Sequence, residues 1–437
     1  MGASEIIRWS LDFIESTLKA EISPRELAER AGYSLRQFGG LFLRATGLPP
    51  KSYIVKRRLY HAIIEISAGR TAADVAAEYG FGSYAGFYKA FVRGYGCSPR
   101  RFLALYGKVA PKEEDKMEKK ALSEAELRAA LASWGLAQDL PIREVMVMGG
   151  TKAAGDVWAI GKEYILKAGD RERLQRGLFI ANALKAHGFL AVIPIKTSDG
   201  AEMTEGKPAF TLTRKLKGMP LSPAKRLGTG REGYGEEYGR GLAKLHLALA
   251  AIEEEIQPME EDLAKQLTGW ALPALRLQNE QWKMGLNDGF FEGFAAEIGE
   301  SLPALPKQLI HRDPNPGNLL FEKGKLSGFI DFELSVRGIR LWDPCYCATG
   351  ILSEAESLPE AERGWIELLR GILHGYDEIN PLTAAEKRSV FPVLCSIQAI
   401  CISYFESREE FRELAKKSRE MLRFIVGVEE KIRQIPS

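Results

Sequence analysis

Apolar positions along this 437-residue chain change period more than once, and each change predicts a different element. In the first quarter they recur three and four residues apart, as on one face of a helix. Phe38, Leu41, Phe42 and Ala45 make one such stripe. Farther on, Glu144–Met148, Val157–Ile160, Tyr164–Ala168 and Phe210–Leu216 read as strands, the middle two turning at Gly161-Lys162. Residues 171–187 interrupt them as a helix. Ser123 and Glu126 form a capping box for an earlier helix that reaches about Trp134. After Lys217-Gly218 the pattern is mostly helical. The exception is a pair of apolar-rich runs, Leu319–Glu322 and Lys325–Ile330, around Lys323-Gly324, which predicts an antiparallel hairpin.

The first quarter repeats itself. Leu27-Ala28 through Gly32-Tyr33 parallels Val75-Ala76 through Gly80-Phe81 at an offset of 48. Past Gly82 the offset is 49, and Ser34, Phe38, Phe42, Gly47, Pro50 and Tyr53 pair with Ser83, Phe87, Phe91, Gly96, Pro99 and Phe102. Each unit reads as helix, Gly-containing turn and second helix opened by a Ser N-cap. A helix from about Lys51 to Ser67 joins the units. The outward faces of the second helices carry Arg36, Gln37, Gly39, Gly40 and Arg44 in one unit, and Tyr84, Tyr88, Lys89 and Arg93 in the other.

Charge sharpens that picture. The whole chain carries only +2, but residues 1–107 hold 15 Lys/Arg against 9 Asp/Glu, a net +6. A basic segment on a near-neutral chain points to a polyanion. Two helix-turn-helix units joined by a long helix, with Gly-Phe…Phe…Phe…Gly-x-Ser-Pro in Gly80–Pro99, resemble the DNA-binding domain of AraC/XylS-type regulators. The resemblance covers residues 4–104 and implies double-stranded DNA as partner, each second helix entering a major groove. Arg36, Gln37, Tyr84 and Lys89 are then candidates for base edges; Arg44, Arg93, Arg100 and Arg101 are candidates for phosphates. Gly40 departs from the family, which often has a basic residue there. Residues 108–121 are almost all charged at their centre and read as a linker.

The hairpin brings polar residues together. Asn318 opens one of its strands, Asp331 closes the other, and Asp313 lies on the Pro314/Pro316/Gly317 loop just before. Residues so placed are near cross-strand partners, roughly 7–8 Å apart on the diagonal. An amide oxygen and a carboxylate at that reach can share Mg²⁺, which takes oxygen ligands. Asp313 can face a substrate hydroxyl. His311-Arg312-Asp313 with Asn318 five residues later, then Ile330-Asp331-Phe332-Glu333 where kinases carry Asp-Phe-Gly, resembles the catalytic and metal-binding segments of the protein-kinase-like fold. The motif is closest in shape to aminoglycoside phosphotransferases and choline kinases. Choline-kinase-like enzymes also carry Glu where Asp-Phe-Gly has Gly.

Other residues take meaning from that resemblance. Gly149-Gly150-Thr151 opens a loop between two strands, which can drape backbone N–H groups over nucleotide phosphates. Lys167 ends Tyr-Ile-Leu-Lys on the third strand, where kinases place a phosphate-pairing lysine. Kinases put a Glu on the next helix to hold it. Here that position falls near Gly177, and Glu172 lies more than a turn earlier, which is the main departure from the family. The strand ending near Arg214 and Leu216 leads into a hinge where adenine would bond backbone. His246, in Leu-Ala-x-Leu-His, is expected to be structural, and Asp343 to tie down the catalytic loop. Glu354, Glu356, Asp377 and Glu378 are acidic candidates for a cationic acceptor.

The five cysteines have no zinc-site spacing and read as free thiols. The most apolar run, Phe391–Phe405, is short and holds Ser396 and Gln398, so it reads as a buried helix and no membrane is implied. The N-terminal stretch lacks a signal-peptide pattern. The expectation is a cytoplasmic, multidomain chain: an all-α double helix-turn-helix domain over 1–107, the linker over 108–121, then an α+β bilobal kinase-like domain with an N-lobe over 122–215 and a helical C-lobe over 216–437. The resemblance implies ATP and Mg²⁺ as cofactors and γ-phosphoryl transfer to a small-molecule hydroxyl. The alternative is a non-catalytic sensor of a small molecule or nucleotide that controls DNA binding.

Overall fold

A computed structural model describes residues 3–435 apart from 21, 47–48, 68–69, 96–98, 100–121, 138, 146–155, 188–191, 229 and 407–410. It divides into two compact units, residues 1–120 with 265–292, and residues 121–264 with 293–437.

In the first unit, helices α1 (Ala3–Ser16), α2 (Pro24–Arg30), α3 (Leu35–Thr46), α4 (Pro50–Ser67), α5 (Ala72–Glu78) and α6 (Tyr84–Tyr95) share one core. The sequence repeat is a structural one. Leu27, Ala28, Phe38 and Phe42 are buried, and so are their counterparts Val75, Ala76, Phe87 and Phe91. The two turns match as well. Gly32 and Gly80 both have φ +73°, and the next residue's N–H reaches back to Ala28 or Ala76 at 2.9 and 3.0 Å. Only glycine adopts that left-handed conformation without strain. The Ser34 and Ser83 hydroxyls accept the N–H groups of Gln37 and Gly86, so both second helices start as the caps predict.

The second unit opens with α7 (Glu124–Ala132), where the Ser123/Glu126 capping box is present. A four-stranded antiparallel sheet follows: β1 (Ile142–Glu144), β2 (Asp156–Ile160), β3 (Tyr164–Gly169) and β4 (Ala209–Arg214), in that order. The first strand begins earlier than the alternation suggested, at Ile142, because Ile142 pairs with Ile160 and Glu144 with Trp158. Residues 146–155 lie outside the described residues. Trp158, Ile160, Leu166, Ala168, Phe210 and Leu212 pack with α7 residues Leu127, Ala130 and Leu131. Side chains alternate across a pleated strand, so Lys167, between Leu166 and Ala168, belongs to the opposite face. That face is flanked by α8 (Arg171–Ala186), which Asp170 caps through the Arg173 N–H.

After β4 the chain bonds to the hairpin: Met219 and Phe321 exchange N–H···O bonds of 3.1 and 2.9 Å. Helix α9 (Arg231–Ile256) packs along a later partner, and β5 (Lys307–Ile310) leads into the loop before the hairpin β6 (Leu319–Glu322) and β7 (Lys325–Phe329). Strand β8 (Val336–Ile339) pairs with β5. Helices α10 (Trp342–Ser353), α11 (Leu358–Ile379), α12 (Val390–Phe405) and α13 (Arg412–Gly427) are the longer helices that follow. Helix α12 is almost wholly buried, Ser396 and Gln398 included. Among the described residues no helix is long and apolar enough to cross a membrane.

Candidate functional site

Strand β5 delivers His311-Arg312-Asp313 into a loop held from several sides. Asp343, at the start of α10 and fully buried, accepts the backbone N–H groups of His311 (2.9 Å) and Arg312 (3.0 Å). The same carboxylate lies 2.8 Å from His246 Nε2, and His246 Nδ1 lies 2.6 Å from the Tyr376 hydroxyl. His311 Nε2 donates to the Ile330 carbonyl at 2.9 Å. The Arg312 guanidinium bonds Glu261 at 2.7 Å and sits 3.6 Å over the Trp342 ring. Buried polar groups must find partners or cost stability, so this network fixes one loop conformation. It includes an unfavourable φ of +74° at Arg312, the residue before Asp313.

The loop aims Asp313 and Asn318 at one another. Asn318 Nδ2 donates to the Asp313 main-chain oxygen (2.9 Å) and carboxylate (3.3 Å), and Asn315 Nδ2 donates to Asp313 Oδ1 (3.2 Å). The Tyr346 hydroxyl also reaches this carboxylate. Burial pushes the Asp313 carboxyl above its ordinary value despite those bonds. An amide nitrogen does not ligate a hard cation; with Nδ2 donating to Asp313, the Asn318 oxygen is the atom that can. Leu319 pairs with Phe329, and the Ile330 N–H donates to the Asn318 carbonyl at 3.1 Å, so Asn318 and Asp331 flank the mouth of the hairpin. Asp331 turns out of the strand with φ +70°. An amide oxygen and an exposed carboxylate are the donor types a hard divalent cation takes.

Lys167 reaches the same place from the sheet. Its Nζ lies 3.1 Å from Asp331 Oδ1 and 2.5 Å from Glu333 Oε1. Burial pulls the ammonium down, but the Asp331 and Glu333 carboxylates outweigh it and hold Lys167 above its ordinary value. Helix α8 has glycine at 177, and a β-carbon there would sit 3.0 Å from Glu333 Cγ and 3.4 Å from its N. Glu172 is exposed on the same helix.

The other candidates have varied settings. Gly149, Gly150 and Thr151 lie outside the described residues. Arg214 is exposed at the end of β4 and Leu216 is half-buried beyond it. Of the four acidic candidates for an acceptor, three are committed elsewhere: Glu354 pairs with Arg226, Asp377 with Lys387, and Glu378 with Arg240. In the first unit Arg36, Tyr84, Lys89 and Arg93 are exposed on α3 and α6. Gln37 is exposed too, but its Oε1 accepts the Ser34 N–H (3.3 Å) and hydroxyl (2.8 Å). Its oxygen therefore serves the helix start, and with the Gln37 N–H on the Ser34 hydroxyl it completes a capping box. The side chain of Arg44, and Arg100 and Arg101 entirely, lie outside the described residues. Cys345, Cys347, Cys395 and Cys401 are unpaired thiols. Two participants escaped the sequence reading. Tyr346 is signalled only by its place one helical turn after Asp343, and Glu333 was read only against the glycine of Asp-Phe-Gly.

A strand lysine, a catalytic-type loop and a hairpin with Asn and Asp at its mouth define the class of bilobal kinase-like phosphotransferases. A model of the phosphotransferase enzyme family matches residues 152–383, just over half of the chain, and the chain belongs to that family. A helix-turn-helix domain of AraC type precedes it, matched over residues 27–104. Relatives include the homoserine kinases of Xanthobacter autotrophicus (28% identical over 225 residues, 51% of this chain and 65% of that protein) and Brucella ovis (31% over 245 residues, 54% and 68%). The chain thus spans just under two thirds of the Xanthobacter protein's length. Among solved structures, a microcompartment-associated aminopropanol kinase aligns with TM-score 0.51 at 14% identity, covering 72% of this chain and all of that one. An amicoumacin kinase in complex with AMP-PNP, Ca²⁺ and Ami aligns with TM-score 0.52 at 13% identity, covering 72% and 96%. At these identities the likeness is one of fold.

Proposed function

We propose that the second unit transfers the γ-phosphoryl group of ATP to the hydroxyl of a small molecule, and that the helix-turn-helix pair binds duplex DNA. The observation that carries the first part is the convergence of Asp313, Asn318, Asp331 and Lys167 at the mouth of one hairpin. Asp313 orients the acceptor hydroxyl and takes its proton at a carboxylate oxygen; a raised carboxyl suits it to that role. Asn318 and Asp331 are the residues to hold Mg²⁺, and Lys167 the residue to hold phosphates. Arg214 and Leu216 would border the adenine through backbone, and Gly149, Gly150 and Thr151 would lie over the phosphates. When bound, the metal–nucleotide complex supplies the phosphoryl group and neutralises its charge. Most of the rate then comes from positioning and electrostatics. We take residues 1–107 as the DNA-binding part, 108–121 as linker, 122–215 as the N-lobe and 216–437 as the C-lobe.

The named activity of the sequence relatives makes homoserine the first acceptor to test, beside other hydroxylated amines and sugars. The test is ATP consumption by the full chain across such a panel. Robust turnover with one acceptor supports the reading. A second reading is favoured by the presence of a DNA-binding-type domain in the same chain: the kinase-like unit senses a ligand without turnover. It is supported if no acceptor is phosphorylated but a ligand raises the thermal midpoint and changes operator affinity.

A further inference from the structure

Protein kinases hold their strand lysine with a helix glutamate, and the matching stretch of α8 has none. The carboxylate comes instead from beyond Asp331. Glu333 Oε1 is 2.5 Å from Lys167 Nζ, and it is the closer of the two carboxylates on that ammonium. Glu333 reaches Lys167 across the face of α8 at Gly177. Its Cγ occupies the space that a β-carbon at 177 would enter, at 3.0 Å. Gly177 is buried at that crossing, in the middle of a helix where glycine is otherwise unfavourable by roughly 1 kcal/mol relative to alanine. Both halves of the arrangement are accounted for by one cause: the carboxylate and the glycine have exchanged places relative to the usual pattern.

We propose that Glu333 is the positioning residue for Lys167, and that Gly177 is the gap that admits it. This rests on the reading of Lys167 as a phosphate-holding residue. With Mg·ATP bound, Asp331 would serve the cation, and Glu333 would be left as the carboxylate that keeps the ammonium aimed. Charge-assisted hydrogen bonds are the strong ones, and an ammonium with one fixed partner loses little further freedom when phosphates arrive.

The test uses the full chain, with calorimetry for Mg·ATP affinity, turnover with the best acceptor, and the thermal midpoint as a control for folding. Glu333→Gln is expected to weaken Mg·ATP binding on the order of 10-fold, the scale of one hydrogen bond to a charged group. Gly177→Ala should weaken it too, by pushing Glu333 aside. The decisive variant is the exchange, Glu333→Gly with Gly177→Glu. It should recover most of the affinity that Glu333→Gly alone loses, because it returns a carboxylate to Lys167 from the helix side. A residue of merely structural importance would not be rescued in this way. Wild-type binding that is unchanged in Glu333→Gln, or an exchange that rescues nothing while folding normally, overturns the inference and leaves the phosphotransfer reading standing. Absence of Mg·ATP binding in the wild type overturns the reading itself.

Discussion

Asn318 commits its amide nitrogen to Asp313, 2.9 Å from the main-chain oxygen and 3.3 Å from the carboxylate. One side chain therefore braces the proposed base and leaves its own oxygen for the proposed metal. The two roles can be separated by Asp313→Asn, which keeps the shape and removes the negative charge. Turnover should fall by roughly 10²–10⁴, the range for loss of a general base. Mg·ATP affinity should change little, because Asp313 is not among the proposed metal ligands. Steady-state turnover beside calorimetry reads both; unaltered phosphoryl transfer would remove Asp313 from its role.

Asp331→Ala should abolish the Mg²⁺-dependent part of nucleotide binding. The substitution also removes one of the two carboxylates on Lys167, but Glu333 remains. Binding of ATP without metal should therefore persist. Titrations with and without Mg²⁺ make the comparison, and equal responses to the metal in wild type and variant would contradict the assignment.

Asp343→Ala should be costly to stability. It leaves the His311 and Arg312 N–H groups and His246 without their buried acceptor. Removing one partner of a buried charged network costs about 3–5 kcal/mol. Denaturant unfolding followed by the signal of the kinase-like unit should show it, with activity lost in parallel.

The first unit carries an acid-sensitive tie. Glu78 accepts from Arg70 and from Lys19 at 3.0 Å, and these partners, Arg70 foremost, lower its carboxyl from the ordinary 4.5 to about 2. A depressed carboxyl contributes stability above its unfolded value and loses it as pH falls through the folded value. The gap in thermal midpoint between wild type and Glu78→Gln should thus be full near pH 6 and close between about pH 4.5 and 2. A gap that widens on acidification would oppose this.

DNA binding should weaken steeply with salt, by a slope of about 0.9 per phosphate contact. Arg93→Ala should lower that slope by about one unit on all sequences, and Lys89→Ala should relax specificity in one half of the site. Binding that ignores both salt and Lys89 would exclude the DNA reading. Fluorescence anisotropy of the full chain on labelled duplexes over a salt series measures it.

Local physics made most of the architecture legible. The Leu27/Val75 repeat, the Gly32 and Gly80 turns, the Ser123 capping box and the hairpin at Lys323-Gly324 all depend on near neighbours, and all appear as read. The first strand was misplaced because its extent is set by pairing with β2, a tertiary matter. The tie on the Gln37 oxygen is local too, since Ser34 and Gln37 stand at the same capping-box spacing as Ser123 and Glu126. Two of the acidic acceptor candidates, Glu354 and Glu378, look available in the sequence because their partners Arg226 and Arg240 are distant along the chain.

By itself the sequence determined the periodicities, the turns, the family motifs and the order of Lys167, Asp313, Asn318 and Asp331 along the chain. It also showed that the helix glutamate was missing. Only the tertiary structure decided what replaced it. Glu333 and Gly177 are far apart in the chain, and no spacing rule joins them. The pairing follows from packing: a helix that lacks a side chain at one point lets a carboxylate from the hairpin's end pass close against its backbone and reach the half-buried ammonium. Complementarity of that kind, an absence on one element filled by a group on another, exists only when the elements are packed together.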